Sequence, residues 1–544
     1  MLTVRIILPG LAREFHSAED RWPLPSIRDD GLLEQSLSEA SRSLARQPAG
    51  AGLGGRVAVG IAWLGGSFGG LRLIGLVQTV IMARLLSPAD FGTYAMVNVV
   101  LGTLGVLTGF GIREGVIQSP HDDRATLDTA FCLILIRGFL LYTLVYFSAP
   151  LVEDFFATPD VAVLLRVGGL SILLGAACNV GPMLFAKKLD YRSAALYGQF
   201  PQLVAMIAGI GFAIWLRSVW ALVLSQLTAS ALLLPLSYWV HDFRPRLRIH
   251  RAAGRHLLRY GGYILGSAPF FYLSTHIDEI VVGRRFGSHS LGAYQLAYNV
   301  SALPATYFGD LVLGVLFPIF AQLQSTPKAL GQAYVKTLRH LASLSLPLSA
   351  FLFVFASEII HVVYGSKWAA AIPLLMAFSI YGALRSVMSI SLQIFKATGQ
   401  TRVVFQLAVL NLAAVGLVVL VGAPYGPFWI AVLLSAASIP AAVYGLRLTA
   451  AVLDLSLVVI LRACVPSALA TGAVLLVALG ARPLLDEWPQ AFVRLVAGAT
   501  VFAAGYTPLL LLLDRRWLIE LVELVRAARL STASRRMATD RSPA

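Results

Sequence analysis

ARLLSPADFGTYAMVNVV (Ala83 to Val100) aligns without a gap on GRRFGSHSLGAYQLAYNV (Gly283 to Val300), at an offset of 200 residues. Arg84 falls on Arg284, Gly92 on Gly292, Tyr94 on Tyr294 and Val100 on Val300. Each stretch joins the end of one long apolar segment to the start of the next. A duplicated membrane unit is the sequence signature of a transporter built from two halves around a central pathway. The rhyme extends outward: APLVEDFFATP (149–159) is similar to ASEIIHVVYGS (356–366), and FAKKLDYR (185–192) to FKATGQTR (395–402). Six apolar spans separate equivalent positions. Six is even, so the halves share one orientation and the repeat is parallel, about an axis along the membrane normal.

Charged residues make up 13% of the chain and hydrophobic ones 57%. A soluble domain carries about 25% charged residues, so this is not a soluble globule. From Val57 to Asp514 the sequence is a near-continuous series of apolar runs. Each is roughly 18–25 residues, enough to cross a bilayer as a helix. The alternating ten-residue segments of a membrane barrel are absent. The predicted fold is an all-α polytopic membrane protein of about fourteen transmembrane helices, forming two six-helix bundles and two extra C-terminal helices.

The expected organisation is a cytoplasmic, disordered tail over 1–56, an N-terminal bundle over 57–240 and a basic cytoplasmic linker over 241–259. The C-terminal bundle covers 260–450, helices 13 and 14 cover 451–514, and a basic cytoplasmic tail covers 515–544. The net charge of +15 is mostly a topology signal rather than a nucleic-acid footprint. Even-numbered loops hold about seventeen Lys and Arg against about six in the odd ones. The positive-inside rule then puts both termini in the cytoplasm. Cys132, Cys178 and Cys464 lie in apolar spans without metal spacing and read as small core residues.

The first hairpin, continued by GFGIREGVIQSP, resembles that of bacterial polysaccharide flippases. HIDEIVVGRRFGSHSLGAYQLAYNV resembles the matching hairpin of their second half, and FKATGQTR their short loop after the tenth helix. These flippases form the Wzx-like branch of the multidrug/oligosaccharidyl-lipid/polysaccharide exporter superfamily. The resemblance covers spans one to twelve and implies a plasma-membrane flippase for undecaprenyl-diphosphate-linked oligosaccharide. Its product would feed capsule, exopolysaccharide or O-antigen synthesis, with a polysaccharide polymerase and export machinery as downstream partners. Many relatives carry an acidic residue near the end of span two, where this chain has Gly109-Phe110-Gly111 followed by Arg113-Glu114. A role for that acid does not transfer.

Ionisable residues inside spans are costly and normally face the bundle interior. Guanidinium matches phosphate geometry, so Arg72, Arg137, Arg385 and Arg113 are the candidates for the diphosphate headgroup. Arg72 lies twelve residues before Arg84, ~18 Å along a helix and deep in the bilayer. Structural pairing is the competing reading for each. Asp278, Glu279 and Asp310 are the candidates for coupling to Na⁺ or H⁺, with no cofactor expected. His276 stands beside the first two, and a salt bridge to Arg84, Arg284 or Arg285 is the alternative. Trp220, Tyr238, Trp239, Tyr364, Trp368 and Trp429 are expected to anchor at the membrane interface. Short outer loops without a catalytic constellation argue against a polymerase or ligase. Rival transport functions are a lipid II flippase and a cation-coupled multidrug exporter.

Overall fold

The computed structural model describes residues 70–107, 124–187, 190–255, 268–309 and 326–514, with a few isolated positions between them. Among these, helices follow one another in the predicted order. The first half holds α1 (70–85), α2 (Pro88–Leu107), α3 (Arg124–Phe156), α4 (Val161–Ala176), α5 (Tyr191–Leu216) and α6 (Trp220–Val240). The second opens with α7 (Ala268–Ser301), which holds two spans broken at Gly287. There follow α8 (Pro327–Val354), α9 (Ala371–Ala397), α10 (Thr401–Gly422) and α11 (Pro427–Val452), then the two extra helices, α12 (Leu457–Asp486) and α13 (Ala491–Leu513). All fourteen predicted spans therefore have a helical counterpart, and ten of these helices are long and apolar enough to cross a membrane by length and composition.

The rhyming sequences fold alike. The first hairpin breaks at Ser87 and the second at Gly287, again 200 residues apart. The two breaks use different chemistry. Ser87 and Asp90 form a reciprocal cap: the Ser87 N–H and hydroxyl donate to Oδ2 of Asp90 at 2.8 and 2.6 Å, while the Asp90 N–H donates to the Ser87 hydroxyl at 3.2 Å. Gly287 instead adopts φ +78°, which only glycine accepts without cost. The loop before the fifth helix of each half also matches. The Asp190 N–H donates to the Phe185 carbonyl at 2.9 Å, and that of Gln400 to Phe395 at 2.8 Å.

Among the described residues, two local breaks belong to the second half alone. Pro304–Gly309 and Ile360–Tyr364 are π-helices, whose wider turn shifts carbonyls out of the normal ladder. Pro304 begins the first of them.

Buried apolar packing shows how the halves meet. Toward the hairpin turns, one cluster draws on both, with Ala83, Met96 and Phe156 from the first beside Leu291, Tyr294 and Trp368 from the second. At the opposite end, among the described residues, each half has its own cluster. Ile112, Leu127 and Leu184 belong to one, and Leu330, Ile394 and Leu453 to the other. Lipid is as apolar as leucine, so what holds these helices together is close packing and backbone approach rather than exclusion from water.

Candidate functional site

The two hairpins pack directly on each other. A Cβ added at Gly92 would sit 1.7 Å from the Ser288 carbonyl oxygen, and one at Gly292 would sit 1.8 Å from that of Pro88. Position 88 is the repeat equivalent of 288, so the contact is reciprocal, as a two-fold axis between the glycines requires. Arginine clasps flank it in the same crossed manner. The Arg84 guanidinium donates to the Val363 carbonyl at 2.8 Å and to that of Val362. Arg284 donates to the Asp154 carbonyl at 3.4 Å and stacks over Phe155. Arg284 reaches the far end of α3, and Arg84 the π-helix that follows α8. Lys367 adds bonds to the Arg84 and Leu86 carbonyls at 2.8 and 2.6 Å. Burial pushes its ammonium pKa down; Asp90 opposes that shift and Arg84 adds to it.

Trp368 corrects a sequence expectation. It is fully buried, its indole N–H donates to the Ala83 carbonyl at 2.9 Å, and Phe91 packs edge-on against it. Tyr364 is buried beside it in the shared cluster. Both seal the seam between halves rather than anchor at the lipid interface.

Deeper along the seam lie the residues singled out for chemistry. Arg72 crosses from α1 to donate to the Thr306 carbonyl, within the first π-helix. Arg385 on α9 donates to the Tyr298 hydroxyl and stacks over its ring. The two arginines thus converge on one segment, at points eight residues apart. Arg137 stays within the first bundle and donates to the Gly105 carbonyl at 2.8 Å. Arg113 and Asp310 lie outside the described residues.

Asp278 and Glu279 are both buried, each 5% exposed. The Tyr294 hydroxyl donates to Oδ2 of Asp278 at 2.7 Å, while Oδ1 has no hydrogen-bond partner among the described residues. Oε2 of Glu279 lies 3.2 Å from Nδ1 of His276, off the line of a good hydrogen bond. The Tyr272 ring packs 4.3 Å from the imidazole, and its hydroxyl presses on Gly102 of α2. These contacts, rather than bridges to Arg84, Arg284 or Arg285, are what Asp278 and Glu279 make. Sequence reasoning passed over the tyrosines, although Tyr294 was in plain view as the repeat partner of Tyr94.

One ion pair went unread in the sequence. Arg482 of α12 donates to both carboxylate oxygens of Glu358 at 3.0 and 3.3 Å, and also to the Val354 carbonyl. It fastens the extra helices to the third helix of the second half.

A family model described as "Polysaccharide biosynthesis protein" matches residues 81–373 of the chain. The lipopolysaccharide biosynthesis protein WzxC of Escherichia coli K12 is 27% identical over 58% of this chain and 64% of its own length, so the chain spans under two thirds of that relative. The succinoglycan biosynthesis transport protein ExoT of Rhizobium meliloti is 26% identical over 85% of this chain and 93% of its own. The teichuronic acid biosynthesis protein TuaB of Bacillus subtilis is 25% identical over 64% and 72%. Among solved structures, the lipid II flippase MurJ in an inward closed conformation superimposes with a TM-score of 0.68 at 16% identity, over 83% of this chain and 98% of its own. An inward-facing multidrug resistance transporter of the MATE family gives 0.55 at 17%, over 71% and 96%. At such identities the likeness is one of fold.

Proposed function

This chain belongs to the polysaccharide biosynthesis protein family, and from that membership we propose that it flips undecaprenyl-diphosphate-linked oligosaccharide across the bacterial plasma membrane. The product feeds capsule, exopolysaccharide or O-antigen assembly, through a polysaccharide polymerase and export machinery. The observation that carries the reading is the unequal seam among the described residues: one buried cluster common to both halves at the hairpin end, and two separate clusters at the other. A molecule closed at one end and divided at the other is half of an alternating-access cycle. With both termini cytoplasmic, the closed hairpin end faces outward and the headgroup enters from inside.

Arg72 and Arg385 are the headgroup ligands in this scheme. Here they donate to a carbonyl and a phenol; a diphosphate offers charged acceptors that bond about twice as strongly. Exchange of partners would free the π-helix carbonyl and loosen the seam as substrate arrives. Arg137 and Arg113 are the further candidates for the headgroup. Asp278, with one carboxylate oxygen open, is the coupling site for Na⁺ or H⁺, seconded by Glu279 and Asp310.

The test is flipping of a fluorescent undecaprenyl-diphosphate oligosaccharide in liposomes, with and without a Na⁺ or pH gradient. Arg72→Ala and Arg385→Ala should abolish flipping, and Asp278→Asn should leave a slow rate that ignores the gradient. Full flipping by both arginine variants would overturn the headgroup assignment, and an unchanged gradient response would overturn the coupling. Translocation of lipid II is the alternative for the same fold; rescue of a strain depleted of its lipid II flippase would establish it instead.

A further inference from the structure

The linker between the halves is a built element rather than a tether. From His241 to His250 it runs without helix across the ends of α3 and α4 opposite the hairpin turns, and side chains from their ends, three buried and one exposed, hold its backbone. The Arg246 N–H donates to Oδ1 of Asp128 at 2.8 Å, and Asp128 is 3% exposed. The His250 N–H donates to the Thr129 hydroxyl at 3.0 Å. The Asn179 amide donates to the Phe243 carbonyl at 2.6 Å, and the Arg124 guanidinium to the Arg244 carbonyl at 3.2 Å. A positive-inside signal needs only the number of cations on one side. It does not need a fixed backbone beneath them.

The pinned strap is amphipathic in an unusual way. Arg244, Arg246 and Arg248 are exposed, and Arg251 and Arg255 follow on one face of the short helix after it. Asp242 is the single acidic residue between 241 and 255. Among these cations stand bare apolar side chains: Leu247 is 76% exposed, Ile249 54% and Trp239, at the end of α6, 84%. A tight turn, closed by the Arg248 N–H on the Arg246 carbonyl at 2.8 Å, thrusts Leu247 outward. Aliphatic tips this exposed gain nothing in water. The acyl–headgroup boundary of a membrane accepts both, with aliphatic tips below and arginines at the phosphates.

We propose that residues 239–255 form a binding surface for anionic phospholipid headgroups, which seats the first half on the leaflet it faces. The surface is separate from the headgroup site proposed above and does not depend on it.

The test uses the full chain in nanodiscs of phosphatidylcholine with a minority of phosphatidylglycerol, followed by native mass spectrometry of retained lipid. The wild-type protein should keep phosphatidylglycerol in preference to phosphatidylcholine. Each strap arginine removed should weaken that preference about fivefold, and the R244Q/R246Q/R248Q variant should lose it. L247S/I249S, which keeps every charge, should lose part of it. The control K328Q/K396Q removes two exposed lysines of the second half and should leave the preference intact. Equal retention by the triple variant, with an unchanged thermal midpoint, would overturn the proposal. An equal loss in the lysine control would also overturn it, by showing that diffuse charge is enough. Displacement of the phosphatidylglycerol by undecaprenyl diphosphate would overturn it too, because the strap would then be a substrate station.

Discussion

Near the hairpin turns the seam between the halves is made of reciprocal pairs, whereas ~18 Å deeper it is not. Gly92 meets Ser288 as Gly292 meets Pro88, and Arg84 and Arg284 reach across to backbone carbonyls of the other half. At depth, Arg72 of the first half occupies the position that Tyr272 holds in the second. The carboxylate pair Asp278 and Glu279 is matched by Gln78 and Thr79. Closing a gate is a mechanical task that two like parts perform together. Gripping an anionic headgroup and sensing a cation are different tasks: the proposed grip draws Arg72 from the first half and Arg385 from the second, whereas the carboxylates of the proposed cation site lie in the second half. The π-helices sharpen the contrast: both lie in the second half, and both receive an arginine from α1, Arg72 on Thr306 and Arg84 on Val362 and Val363.

The comparison can be broken most forcefully at the feature that only the second half possesses. Arg482→Ala leaves Glu358 buried and unpaired, and should cost ~3–5 kcal/mol in thermal unfolding of the purified protein. Removing both partners should restore much of that. A single-variant cost near zero would mean the extra helices are held by packing alone.

Next in size are the gate glycines. Gly92→Ala and Gly292→Ala should each destabilise the closed form by ~1–3 kcal/mol. The two should agree with each other, since each strikes the backbone of its counterpart. Distances between spin labels at Ala89 and His289 would report the opening. Gly198→Ala, whose Cβ enters open space, is the control and should be neutral or slightly stabilising. Unequal costs at 92 and 292 would remove the symmetry argued for the gate.

Arg72→Ala should cost ~1–3 kcal/mol, because the Thr306 carbonyl loses its donor inside the bilayer. Its repeat counterpart offers the contrast: Tyr272→Phe keeps the ring on His276 and should change the thermal midpoint little. Comparable losses at both would make the deep layer as symmetric as the gate.

The smallest effects belong to the exposed clasps. Arg84→Ala should cost under ~1 kcal/mol and Arg284→Ala less, since solvent competes for both and the Arg284 bond is the longer one. Cysteine cross-linking of the hairpins would rank them.

The fold was legible because duplication leaves two readings of each turn. Ser87-Pro88-Ala89-Asp90 announces a helix start by its capping chemistry, and Gly287 marks the same break by backbone freedom. The charged positions were legible as well, because an arginine or carboxylate within an apolar run is conspicuous. Their partners were not. Thr306, Val362 and Val363 accept through carbonyls that a π-turn exposes, and a π-turn has no side-chain signature. Trp368 was misread for a related reason. In a membrane protein the lipid and the partner helix are equally apolar, so periodicity does not say which one a tryptophan faces. The strap was visible only as charge, because what pins it (Asp128, Thr129 and Asn179) lies about 120 and 60 residues upstream in other helices.

The crossing at Gly92 and Gly292 has a consequence for descent. After a duplication, two copies are free to drift wherever each answers only to itself, and positions 72 and 272 now hold arginine and tyrosine. At 92 and 292 each copy's side chain would occupy the other's backbone, so a change in one is judged by its twin. The axis of the molecule is therefore also a place where two ancestral copies remain a single heritable unit.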